Sequence, residues 1–137
     1  MAVNKNQIVA DLMRTEVIKI APSAPLGDAM KLMKRHNVKS IVVDKGRPGD
    51  AYGILQYRDI AKAIIANEGD IELLDVYDVC TKPVIQVSKQ LETKYVARLM
   101  LDYSIKRVLV VDDNELEGFI SLSDVIGSII DGFENGE

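Results

Sequence analysis

"EVIKIAPSAPLGDAMKLMKRHNVKSIVV", Glu16 to Val43, lies without a gap over "PVIQVSKQLETKYVARLMLDYSIKRVLV", Pro83 to Val110, at a constant offset of 67 positions. Self-similarity of that length decides the fold before any single motif does. Val17, Ile18 and Ile20 fall on Val84, Ile85 and Val87, and Val38 with Ile41 to Val43 falls on Ile105 with Val108 to Val110. Two short strands are predicted to repeat. Between them Leu26, Ala29, Met30, Leu32 and Met33 recur as Thr93, Val96, Ala97, Leu99 and Met100. Steps of three and four residues draw one apolar stripe along a helix, which makes Met30, Met33 and Met100 core residues and not a ligand box.

Toward the C-terminus the offset drops to 65, because "DKGRPGDA" is a longer turn than its counterpart around "DDNELE". Gly, Asp and Asn clusters of this kind suit hairpin turns. The register then locks again: Gly53-Ile54-Leu55 matches Gly118-Phe119-Ile120, Asp59 matches Asp124, and Ile60, Ile64 and Ile65 match Val125, Ile129 and Ile130 at helical spacing. A lead-in repeats too, with Val9, Asp11 and Leu12 over Val76, Asp78 and Val79. The expected fold class is α+β (α/β): two pseudo-symmetric β-α-β-β-α repeats, 1–66 and 76–137, joined by a connector at 67–75. Neither repeat is large enough to bury its apolar sheet face alone, so the two are expected to pack sheet against sheet about a pseudo-two-fold axis.

Apolar residues at 47% and charged residues at 28% are a globular balance, and a formal charge of −4 is no electrostatic footprint for nucleic acid. No apolar run reaches the roughly 20 residues that span a bilayer, so no membrane partner is expected. The polar start, Met1 to Gln7, lacks the apolar core of a secretory signal, and a lone Cys80 cannot form a disulfide within the chain. A reducing cytoplasm is the expected compartment.

The order of elements, the "V-I-x-h" opening, the "SIVV" and "VLVV" strands and the closing "G-h-h-x-x-x-D-h" together resemble a tandem pair of cystathionine-β-synthase (CBS) domains, a Bateman module. The resemblance covers about Ile8 to Ile130, leaves no room for a separate catalytic domain, and implies a stand-alone CBS pair. The stretch "RVLVVDDNELEGFISLSDVI" particularly resembles the last CBS repeat of the AMP-activated kinase γ subunits. The family implies a regulatory module, not an enzyme, that binds adenosine-containing ligands in clefts between the repeats. AMP, ADP or ATP are the expected ligands, with S-adenosylmethionine or an NAD-type molecule as alternatives. No catalytic cofactor is implied.

By the family's "G-h-h-S/T-x-x-D" signature, Asp124 would accept hydrogen bonds from ribose hydroxyls, Ser121 would sit by the ribose or phosphate, and Lys106 and Arg107 would face a phosphate. The first repeat keeps Gly53 and Asp59 but carries Gln56 in place of the serine, with Arg58 before the aspartate. Its counterparts of Lys106 and Arg107 are Lys39 and the uncharged Ser40. The two sites are therefore expected to differ. The resemblance further implies that Ile18 lines the Asp124 cleft and Ile85 the Asp59 cleft.

These residue types suit that chemistry. A ribose offers two vicinal hydroxyl donors and an ionised carboxylate is an acceptor-only group. Phosphates belong near Lys106, Arg107 or Arg58, where charge-assisted hydrogen bonds form. An adenine needs a flat apolar wall such as Ile18 or Ile85. The plain reading stands beside this one: an Asp before an apolar helical run is also an N-cap or first-turn residue. The resemblance favours a ligand at Asp124 and leaves both readings open at Asp59. Lys106 and Arg107, beside a strand, have the plain reading of solvated charges as the lesser alternative.

One histidine, His36, is too few for a histidine metal cluster or a Ser/His/Asp triad, and is read as a helix-end residue. Cys80 matches Met13 and is read as a packing position. Asp112, Asp113, Glu115 and Glu117 lack calcium-loop spacing and read as a solvated hairpin, so no metal is expected. The glycines of "GRPGDAYG" are spread over a turn and are not read as a phosphate loop. Exposed faces at Ile60-Ile64-Ile65 and Ile129-Ile130 are expected to make a homodimer. An unidentified effector protein would read the switch, and a structural module with empty clefts is the rival function.

Overall fold

In the computed structural model, which describes residues 7–82 and 85–134, strand β1 (Lys19–Ile20) runs parallel to β2 (Ser40–Val43) and pairs Lys19 with Val42 and Ile20 with Val43. Strand β4 (Gln86–Val87) runs parallel to β5 (Arg107–Asp112) and pairs Gln86 with Leu109 and Val87 with Val110. Every residue of the second set lies 67 positions beyond its counterpart, so the repeat extends to the hydrogen-bond register. Val84, the sequence partner of Val17, and the polar start Met1 to Asn6 lie outside the described residues.

The antiparallel hairpins follow the second offset. Strand β3 (Gly53–Gln56) pairs Ser40 with Gln56 and Val43 with Gly53, and β6 (Glu115–Ser121) pairs Arg107 with Ser121 and Val110 with Gly118. The two turns differ as expected. Asp113 and Asn114 both have positive φ, 51° and 62°, which closes β5 and β6 with a tight primed turn whose twist matches the strands. A register shift at Val110/Val111 absorbs the difference. The other hairpin spans a longer loop in which Asp50 accepts from the N–H groups of Gly46 and Ala51, at 2.9 Å each. Both donors are therefore held within the loop by Asp50.

Helix α2 (Leu26–His36) buries Leu26, Ala29 and Met33, and α5 (Thr93–Asp102) buries Thr93, Val96 and Met100. The stripes are residue-for-residue equivalents. Thr93, polar where its counterpart is Leu26, is reconciled with burial by Gln7, whose carbonyl and side-chain oxygen accept from the Thr93 hydroxyl at 3.4 and 3.3 Å. His36 stands in the last turn of α2, which ends at Asn37 in the left-handed conformation, as the sequence implied.

The chain forms two compact units that do not coincide with the two repeats. One is assembled from described residues within Met1–Glu16 and Ile85–Glu137, the other from those within Val17–Val84. The lead-ins have changed places. Helix α1 (Val9–Leu12), ahead of the first repeat, buries Val9 in the core with Val87, Val96, Met100, Val108, Val110, Ile120 and Val125. Helix α4 (Val76–Val79), ahead of the second, buries Val76 in the core with Leu26, Ala29, Met33, Ile41, Val43, Leu55 and Ile60. One turn of helix has no stability of its own; it is held because the Val9 N–H donates to the Leu91 carbonyl at 2.8 Å, and the Val76 N–H to that of Ala24 at 2.9 Å. Cys80 packs half-buried beside one core as Met13 does beside the other.

The closing helices, α3 (Tyr57–Ala66) and α6 (Leu122–Glu134), correct the expected exposed faces. Ile60 is only 8% exposed and belongs to a core, and Ile129 packs partly against the other. The exposed large hydrophobic residues are Tyr57, Ile64 and Ile65 on α3, and Ile126, Ile130 and Phe133 on α6. Among the described residues no helix is long and apolar enough to cross a membrane.

Candidate functional site

Strand β6 runs directly into α6, and the junction is set by a reciprocal cap. The Asp124 N–H donates to Ser121 Oγ at 3.1 Å, and the Ser121 N–H donates to Asp124 Oδ2 at 3.0 Å. Serine three residues before an acidic side chain satisfies two otherwise orphaned amide donors. The Leu122 N–H is taken by the Lys106 carbonyl at 2.9 Å, which ties the start of α6 to the start of β5. Arg107, next in β5, stands opposite Ser121 in the ladder, where cross-strand side chains are within about 5.5 Å at their Cβ atoms. Thus Lys106, Arg107, Ser121 and Asp124 converge on one strand-to-helix corner.

The fifth member of this corner was not legible as a site residue. Arg14 donates from Nε at 3.1 Å and from Nη2 at 2.9 Å, both to Asp124 Oδ1. The carboxylate is 10% exposed and the guanidinium side chain 64%. Burial alone pushes the Asp124 carboxyl up, but hydrogen bonds from Arg14 and Ser121 outweigh it and hold it below the usual carboxylate range. Asp124 holds the Arg14 guanidinium above its ordinary value in return.

Arg14 is brought there by backbone. Its N–H donates to the Phe119 carbonyl at 2.8 Å and its carbonyl accepts from the Phe119 N–H at 3.0 Å, an isolated antiparallel bridge on β6. Gly118 makes this possible, because a Cβ there would collide with the Arg14 carbonyl oxygen. The glycine of the signature is thus explained by close backbone approach.

The second corner repeats the arrangement with different chemistry. Thr81, 67 positions beyond Arg14, makes the equivalent bridge with Ile54, and a Cβ at Gly53 would lie 2.9 Å from the Thr81 carbonyl. The Gln56 N–H donates to Asp59 Oδ2 at 2.9 Å, and Thr81 Oγ1 donates to Asp59 Oδ1 at 3.4 Å. Ser40 stands opposite Gln56, and the Lys39 carbonyl accepts from the Tyr57 N–H at 3.2 Å. Arg58 is exposed in the first turn of α3. Beside them Lys82 Nζ pairs with Asp50 at 3.1 Å. Hydrogen bonds from Gly46, Lys82 and Ala51 bring the Asp50 carboxyl down to about 2.

Ile18 packs half-buried against the core of the Val17–Val84 unit, and Ile85 against the core of the other. The acidic hairpin is occupied by protein donors: Asp112 accepts from Ser88 Oγ at 3.1 Å and from the Lys89 N–H at 3.2 Å, and Glu117 pairs with Lys89 at 3.1 Å. Among the described residues no cluster of His, Cys, Asp and Glu has the grouping that holds a metal ion.

The CBS domain family model matches twice, over residues 9–66 and 76–131. The chain is 32% identical over 117 residues to the CBS domain-containing protein YhcV of Bacillus subtilis, covering 85% of this chain and 81% of that protein. It spans 60% of the length of a 27% identical relative from Methanopyrus kandleri. Among solved structures it resembles the hexameric CBS-CP12 protein from bloom-forming cyanobacteria, with 34% identity, a TM-score of 0.77, and 85% of this chain and 68% of that one covered. It shares its fold with a CBS domain pair crystallised with 5′-methylthioadenosine and S-adenosyl-L-methionine, at 24% identity and a TM-score of 0.74, covering 88% of this chain and 98% of that one.

Proposed function

The chain belongs to the CBS-domain family, of which it carries two copies in tandem, and on that premise we propose that it is a regulatory module that binds an adenosine-containing ligand at Asp124. The observation that carries this reading is the corner itself. Asp124 is an ionised, nearly buried carboxylate held by Ser121, with Arg107 opposite Ser121 on the adjacent strand and the Lys106 carbonyl bound to the first amide of α6. A carboxylate accepts ribose hydroxyls, and Arg107, opposite Ser121 in the ladder, is the cation placed to meet a phosphate. That a related pair was crystallised with two adenosine-containing molecules supports this ligand class over others. AMP, ADP and ATP are the proposed ligands, with S-adenosylmethionine as the alternative within the class.

The Asp59 corner is proposed as a second, unequal site, with Gln56 in place of serine and Arg58 as its exposed cation. The module acts without catalysis: ligand shifts the balance between arrangements of the protein, by as much as it binds one better than the other. Homodimerisation through Ile126, Ile130 and Phe133 gives that shift an output, and a cytoplasmic protein partner would read it. The test is amide NMR during titration with AMP. Shifts concentrated at Arg107, Ser121 and Asp124 support the proposal, while saturation without change at these amides contradicts it.

A further inference from the structure

The Asp124 carboxylate has already been spent on protein donors. Its two oxygens offer about four acceptor positions, and three are taken, by Arg14 Nε, Arg14 Nη2 and the Ser121 N–H. A ribose brings two vicinal donors. One open position cannot accept both, and the Ser121 bond is fixed by the helix cap. The Arg14 bonds are the ones able to yield, since that side chain is 64% exposed and only its tip is engaged. At the equivalent corner Asp59 accepts from the Gln56 N–H and from Thr81 at 3.4 Å, which leaves about two positions for a diol.

We infer that Arg14 is a built-in competitor for the ribose at Asp124, so that ligand enters this corner only by releasing the Arg14 guanidinium, whereas Thr81 leaves Asp59 open. This rests on the nucleotide reading above and adds to it a reason for unequal sites that the Gln56 substitution does not supply. It also couples occupancy to the fold. Arg14 sits on the lead-in that carries α1, so the ligand acts on a segment belonging to the other sequence repeat.

The test is calorimetric titration of the full chain with adenosine, which has a ribose but no phosphate, at low salt. Arg14→Thr is the variant of choice, because threonine is what the chain carries at the equivalent position and the backbone bridge to Phe119 needs no side chain. The expected result is that the weaker of the two adenosine affinities, that of the Asp124 corner, becomes about two- to fivefold tighter in Arg14→Thr while that of the open Asp59 corner is unchanged, the range set by an exposed ion pair. The Arg14 Nε–H resonance of the wild type should also shift as adenosine is added. If the wild type binds adenosine and the weaker affinity is unchanged or lower in Arg14→Thr, the competitor is overturned and the nucleotide reading survives. If neither protein binds adenosine or AMP, both are overturned.

Discussion

Ser121 and Asp124 hold each other across the first turn of α6, each donating a backbone N–H to the other's side chain, at 3.0 and 3.1 Å. Helix cap and ligand residue are therefore not rival descriptions of Asp124. Oδ2 serves the helix, and Oδ1 serves Arg14. Ser121→Ala removes one half of the cap, and its expected cost is about 0.5–2 kcal/mol of stability in urea denaturation.

Glycines at the two corners are not interchangeable with others in the chain. Gly118→Ala drives a Cβ into the Arg14 carbonyl and is expected to cost about 1–3 kcal/mol, with loss of the Arg14–Phe119 bridge. Gly127→Ala, inside α6 with nothing within 4 Å of the added carbon, is expected to stabilise by about 0.5–1 kcal/mol. Thermal denaturation of the two variants should move in opposite directions.

Acid should expose the Asp124 pairing. Its carboxyl lies below the ordinary value when folded, so its contribution is present above the unfolded-state pKa of about 3.9 and is lost as pH falls through the folded one. Asp124→Asn should therefore be less stable than wild type at pH 7. The Arg14 pair supplies only about 0.2–1 kcal/mol of that gap because its guanidinium is largely exposed. Urea midpoints measured from pH 7 down to pH 3 should converge, and a gap that widens in acid would contradict the pairing.

Much of this architecture was legible in the chain. Lys19 pairs with Val42 as Gln86 pairs with Leu109 because a parallel strand, its crossover helix and its neighbour keep their spacing when a repeat is copied. Ser121, Asp124, Lys106 and Arg107 were named from family resemblance; the register sets Arg107 opposite Ser121, the cap joins Ser121 to Asp124, and the Lys106 carbonyl takes the Leu122 N–H. The exchange of lead-ins was not legible. Helix α1 is four residues long, too short for periodicity, and Arg14 meets Asp124 across 110 positions of sequence. Ile60 shows the other limit: period places it on the same helical stripe as Ile64, but only the nearer turn lies over the core.

The central claim, that Asp124 receives an adenosine-containing ligand, is tested most directly by calorimetric titration of the wild type, Asp124→Ala and Gln56→Ala with AMP. The expected result is measurable binding to the wild type, weakened far more by Asp124→Ala than by Gln56→Ala. Equal effects of the two substitutions, or no heat of binding to the wild type at millimolar AMP, would contradict it.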